Sequence, residues 1–180
     1  MINRDFEHLN GLLAEFFSSQ EIKQKLNIID QYEISGWEVW LQIEFANLLS
    51  QTEHEWRREW TVDSDLRKKP DHPRQRTDFL LRKKGWTIDS YIGVEFKQNK
   101  NPASCIRNMF KDLEKLSKVK LSVIDMRSYW TVGITQSIDP DTLDQLVDKH
   151  ISEKIYQTKT RSKHIHVAEI ENTPYCYVII

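Results

Sequence analysis

The chain has 180 residues, 39% of them hydrophobic and 11% aromatic with six tryptophans, enough for one buried core and too apolar for a disordered protein despite 29% charge. A formal charge of -1 argues against a polyanionic partner on average, but the charge is uneven. Lys/Arg number 3 against 10 Asp/Glu over residues 1–56, 12 against 7 over 57–100, 6 against 3 over 101–127 and 5 against 7 thereafter.

Phe6, Leu9, Leu12, Leu13, Phe16 and Phe17 recur at helical spacing, predicting a helix over 4–18 with Asn3 as a cap, then a helix or turn through Leu26. In "SGWEVWLQIEFANLLS", Ser35 and Glu38 have capping-box spacing, and Leu41, Phe45, Leu48 and Leu49 continue an apolar face. Residues 55–62 read as a strand, and "DSDLRKKPDHPRQ" as a polar loop broken by Pro70 and Pro73. "RTDFLLRKK" and "WTIDSYIGVEFKQ" give two more strands, and a helix is expected over 103–118. "SYWTVGITQSI" is a strand, Asp139-Pro140 opens a helix, and "HIHVAEI" and "YCYVII" are strands flanking Pro174. The order describes an α/β fold, a central mixed β-sheet flanked by helices, in one domain over 1–180. Two cysteines without zinc spacing, no run of roughly 20 apolar residues and no signal-peptide pattern at the amino terminus lead us to expect a cytoplasmic protein with no membrane partner.

In the third predicted strand, Ile92, Val94 and Phe96 share one face, and Tyr91, Gly93, Glu95 and Lys97 the other. Glu95 and Lys97 therefore point together, beside a gap at Gly93 that could admit a ligand or another piece of backbone. The tripeptide alone is weak, since Glu21-Ile22-Lys23 repeats it in a polar, helical stretch where such residues serve as solvated surface. Asp78 occupies a neighbouring strand beside Phe79 and Leu81, where an unpaired buried carboxylate is costly. It either pairs with Arg76 or Arg82 on an edge or converges with Glu95 on the oxygen-rich site that Mg²⁺ requires. Glu44, spaced 3 and 4 from Leu41 and Leu48, is placed on the apolar stripe facing the sheet, or at its margin reaching for water.

With "WLQIEFANLL", "RTDFLL" and "GVEFKQ" in this order, followed by a helix, residues 35–135 resemble the PD-(D/E)xK nuclease superfamily, whose fold is restriction-endonuclease-like. Thr77 stands where that pattern has proline. The resemblance implies Mg²⁺-dependent hydrolysis of phosphodiesters, with Mn²⁺ as a substitute and DNA as the favoured nucleic acid. Asp78 and Glu95 would ligate metal, with the Phe96 carbonyl as a further ligand. Glu44 would bind a second metal or orient its water, and Lys97 would stand beside the attacking water. Arg57, Arg58, Arg67, Lys68, Lys69, Arg74 and Arg76 would track the nucleic-acid backbone. So small a chain would suit a phage, mobile-element or bacterial defence nuclease, acting as a homodimer or with a partner that supplies specificity. The alternative is an inactive binding protein on the same fold, such as an inhibitor or immunity partner.

Features left over carry no separate chemistry. His164 and His166 lack a third metal ligand and read as surface or nucleic-acid contacts, Trp56 and Trp60 suit the core, and Cys105, with no catalytic partner at a recognisable spacing, reads as a structural thiol.

Overall fold

In the computed structural model the described residues are 2–63, 74–86, 91–117, 126–150 and 165–180. Three helices come first: α1 (Ile2–Ser18), α2 (Gln20–Gln31) and α3 (Glu38–Ser50). Strands β1 (His54–Asp63), β2 (Arg74–Lys83) and β3 (Tyr91–Gln98) follow, then α4 (Pro102–Ser117), β4 (Met126–Gln136), α5 (Pro140–His150), β5 (His166–Glu169) and β6 (Tyr175–Ile179). The six strands form one mixed sheet in the order β1-β2-β3-β4-β6-β5. Only β3 and β4 pair in parallel among the described strands. A parallel pair cannot be joined by a tight turn, and α4 makes the crossover.

Local chemistry explains the helix starts. Asn101 Oδ1 accepts the Ser104 amide at 2.9 Å ahead of Pro102, and Asp139 Oδ1 accepts the Thr142 amide at 2.8 Å ahead of Pro140. In both, a side-chain oxygen satisfies a free first-turn donor, and proline follows where its missing N–H costs nothing. Helix α2 runs on past the predicted end at Leu26, because Ile22, Leu26 and Ile29 form a continuous buried stripe.

Alternation along each strand sends residues to two cores. Ile92, Val94 and Phe96 of β3, with Trp130, Val132 and Ile134 of β4, pack against α1, α2 and α3. On the opposite face Cys105, Ile106 and Met109 of α4 meet Leu143 and Val147 of α5 and Cys176 and Val178 of β6. The period of two therefore turns Glu95 and Lys97 toward α4. No helix among the described residues is long and apolar enough to cross a membrane.

Candidate active site

The ladder between β2 and β3 pairs Leu81 with Ile92, Leu80 with Gly93 and Phe79 with Val94, and there its backbone pairing ends. One step further, two carboxylates take over the backbone donors. Asp78 Oδ2 accepts the Phe96 amide at 2.8 Å, and Glu95 Oε2 accepts the Asp78 amide at 3.2 Å. The buried Thr77, in the place of proline, donates its hydroxyl to the Val94 carbonyl at 3.3 Å. Across β2, the pairing with β1 passes from Arg58–Phe79 to Trp60–Thr77 around Glu59, whose φ of 51° is unusual for a residue with a side chain. The sheet is thus irregular on both sides of Asp78.

Burial raises the Asp78 carboxyl well above the ordinary carboxylate range, and the neighbouring Glu95 adds to the effect. Burial also raises Glu95, against the pull of Lys97. Both follow from desolvating two acids side by side. Neither Arg82 nor Arg76 relieves them: Arg82 bonds Glu55 at 2.5 Å, and Arg76 reaches Glu59 at 3.5 Å.

Lys97 is the counter-charge. Its ammonium donates to Glu95 Oε1 at 3.0 Å and to the Phe96 carbonyl at 2.8 Å, and lies 3.1 Å from Asp112 Oδ2 and 3.6 Å from Glu38 Oε1. Burial alone would lower its pKa, but Glu95, Glu38, Asp112 and Asp78 together hold it above its ordinary value. Tyr129 completes the cluster by donating its hydroxyl to Glu95 Oε2 at 3.2 Å. The Tyr129 ring fills the space over Gly93, where an added Cβ would lie 2.5 Å from Tyr129 Cδ2 and from Met126 Sδ. The expected gap beside Glu95 is therefore closed by a side chain of the chain itself.

A pocket of about 290 Å³ opens beside this cluster, lined by Glu95, Asp112 and Tyr129 together with three cations, Arg74, Arg76 and Lys115. Of the other expected basic contacts, Arg57 stacks over the Trp60 ring at 4.3 Å. Arg58 is turned toward α3, donating to Gln42 Oε1 at 2.7 Å. Arg67, Lys68 and Lys69 lie outside the described residues, as does His164.

Glu44 does not join Asp78 and Glu95. Its Oε1 takes hydrogen bonds from Lys25 at 2.5 Å and from the Trp40 indole at 2.9 Å, and it lines a separate pocket with Glu15, Ser19 and Glu21. Glu38 is the acid that α3 brings to the site, with Oε2 accepting the Gln98 amide at 3.2 Å and Oε1 facing Lys97. The error has a physical cause. The buried face of α3 is Leu41, Gln42, Phe45 and Leu49, so the stripe lies under Glu38 and leaves Glu44 at its margin. Glu38 makes no capping box, since α3 has Trp37 at its N-cap and no side-chain cap bond.

Asp112 and Tyr129 were also missed. Asp112 follows Cys105 and Met109 at helical spacing onto the buried face of α4, which is the one signal its sequence position carries. The repeated tripeptide Glu21-Ile22-Lys23 behaves differently on α2, where residues two apart diverge. Glu21 pairs with Lys25 at 2.7 Å, while Lys23, buried rather than solvated, reaches Glu171 at 3.7 Å. The Cys105 thiol is buried, and burial pushes it up to about 12, which suits a packing role.

The donor chemistry is that of a hard cation: oxygen only, with Asp112 Oδ2 buried and without a hydrogen bond. Even so, among the described residues no group of three His, Cys, Asp or Glu side chains is arranged to hold a metal ion, because the carboxylates are drawn around Lys97. No protein-family model matches the chain, and no curated protein matches it.

Proposed function

We propose that this protein is a divalent-metal-dependent nuclease of the restriction-endonuclease-like, PD-(D/E)xK type, with DNA as its favoured substrate. The observation that carries the reading is the meeting of Asp78, Glu95 and Lys97 at the splayed end of β2 and β3, beside a pocket bearing Arg74, Arg76 and Lys115. The connectivity supports it: a helix, three antiparallel strands, a crossover helix and a parallel strand.

Asp78 and Glu95 would hold Mg²⁺ or Mn²⁺, and Glu38 takes the place expected of Glu44 as the acid supplied by α3. A bound divalent ion supplies Lewis-acid polarisation of the phosphate and lowers the pKa of its water. The chain's own residues do the rest. Lys97 neutralises charge that develops on the phosphoryl group, and Tyr129 orients Glu95 by its hydrogen bond. Arg74, Arg76 and Lys115 receive the phosphate backbone, at a cost that grows with salt.

Incubating the purified protein with duplex, single-stranded and branched DNA and with RNA, in Mg²⁺, Mn²⁺ or chelator, tests this. Cleavage that needs the metal and falls at least about 100-fold in Glu95→Ala and in Lys97→Ala is the expected result. Tight binding of a substrate with no cleavage in either metal would replace the nuclease with a binding protein on the same fold.

A further inference from the structure

The ammonium of Lys97 stands among four oxygen atoms brought by three elements: Glu95 Oε1 and the Phe96 carbonyl from β3, Asp112 Oδ2 from α4 and Glu38 Oε1 from α3. An ammonium has three protons to give and prefers to give each along a good line. Two are given, to Glu95 at 3.0 Å and to the Phe96 carbonyl at 2.8 Å. Asp112 Oδ2 is 3.1 Å away, yet forms no hydrogen bond to any group, although its side chain is only 9% exposed. A buried carboxylate oxygen aimed at a shared centre and left without a bond is a mismatch between this ligand set and the cation now inside it. A hard divalent ion removes that mismatch, because it takes six or more oxygen donors without requiring a directed proton for each.

We propose that Glu38, Glu95, Asp112 and the Phe96 carbonyl form a divalent-cation centre that the Lys97 ammonium fills in the metal-free protein, so that a metal ion enters by displacing Lys97. Glu38 and Asp112, which lie outside the sequence pattern, become ligands on this account, and Lys97 acts as a built-in competitor for its own metal. The proposal rests on the nuclease reading only for what Lys97 does once displaced, when its charge is free for the phosphate. Metal binding itself can be measured with no substrate present.

Titration calorimetry with Mn²⁺ on the full chain compares wild type with Lys97→Met, which keeps the length of the side chain and removes its charge. Lys97→Met is expected to bind Mn²⁺ at least about tenfold more tightly, and adding Asp112→Asn or Glu38→Gln to it should reverse most of the gain, on the scale seen when ligand support is lost. If wild type binds no Mn²⁺ and Lys97→Met does, competition is likewise upheld. Equal or weaker binding by Lys97→Met overturns it, as does a gain that Asp112→Asn and Glu38→Gln leave intact. Should Lys97→Met fail to fold with its carboxylates unpaired, the wild type supplies the answer through labelling with an amine-acylating reagent read by mass spectrometry. Lys97 should be protected without metal and become labelled as Mn²⁺ saturates the protein. Protection that stays constant or increases with Mn²⁺ overturns the proposal. A protein that passes these tests but cuts no nucleic acid keeps its cation centre and loses the nuclease reading, so the two fail separately.

Discussion

A methyl group at position 93 would have nowhere to go. A Cβ added to Gly93 would press on Met126 Sδ and Tyr129 Cδ2, both at 2.5 Å, and the tyrosine is anchored at its far end by the bond to Glu95. Gly93→Ala is expected to lower stability by about 1–3 kcal/mol through overpacking, read as a shift in the urea midpoint, and to lower cleavage by moving Tyr129 off Glu95. Tyr129→Phe separates the two effects, since it keeps the ring and loses the hydroxyl. It should cost only about 1–2 kcal/mol for the lost bond, while weakening divalent binding. A Gly93→Ala protein as stable as wild type would mean that Tyr129 swings away freely and does not position Glu95. The direction of Glu95 and Lys97 was legible from the period of two within one strand. The occupant of the Gly93 gap was not, because it depends on the parallel register that sets Gly93 beside Tyr129 of β4, a relation between segments far apart in the chain.

On α3 about a third of a turn around the axis separates a site residue from a structural one. Glu38 shares a face with Gln42, Phe45 and Leu49 and reaches Lys97, whereas Glu44 is held by Lys25 and Trp40. Glu38→Gln should therefore reduce cleavage at least about tenfold with the urea midpoint nearly unchanged. Glu44→Gln should do the reverse, keeping cleavage within about twofold while losing up to about 1 kcal/mol of stability with its ion pair. Equal losses of cleavage in both variants would contradict the placement. The elements themselves were readable, since proline-led helix starts at Pro102 and Pro140 and alternating apolar strands leave strong local patterns. The rotation of α3 was not, because Leu41 and Phe45 are compatible with more than one stripe, and the choice is made by what packs beneath. Leu48 stays only partly buried, and the polar Gln42 is buried because Arg58 reaches it from β1. Asp112 was obscured in the same way, by a helix whose cations Arg107, Lys111 and Lys115 are exposed.

Across the molecule, the first helix is tied to the sheet by two polar contacts. Asp5 of α1, fully buried, pairs with Arg127 of β4, which also lies over the Trp86 ring at 4.4 Å. Nearby, His8 of α1 meets His54 of β1 with their Nε2 atoms 2.9 Å apart, a contact that needs an unprotonated acceptor nitrogen on one of the two rings and is lost when both are charged. Burial, then His54 and Lys83, push His8 down from 6.5 to about 4, and burial with Lys83 also lowers His54. A proton therefore enters the unfolded chain first. The stability these histidines contribute is present above pH 6.5 and is lost as pH falls toward 4. Asp78 and Glu95 act with the opposite sign. Their folded values are raised, so the folded state holds their protons more tightly, and their contribution is present at low pH and lost as pH rises through the folded range. The melting temperature of wild type should thus change less with pH than either group alone would dictate. His8→Gln should fall less steeply than wild type from pH 6.5 to 4, and Asp78→Asn should rise more steeply with increasing pH because its opposing loss is gone. Mn²⁺ should raise the melting temperature more at pH 8 than at pH 5, since the metal competes with protons for the same carboxylates. Parallel melting curves for wild type, His8→Gln and Asp78→Asn across this range would refute the assignment of these opposing arms.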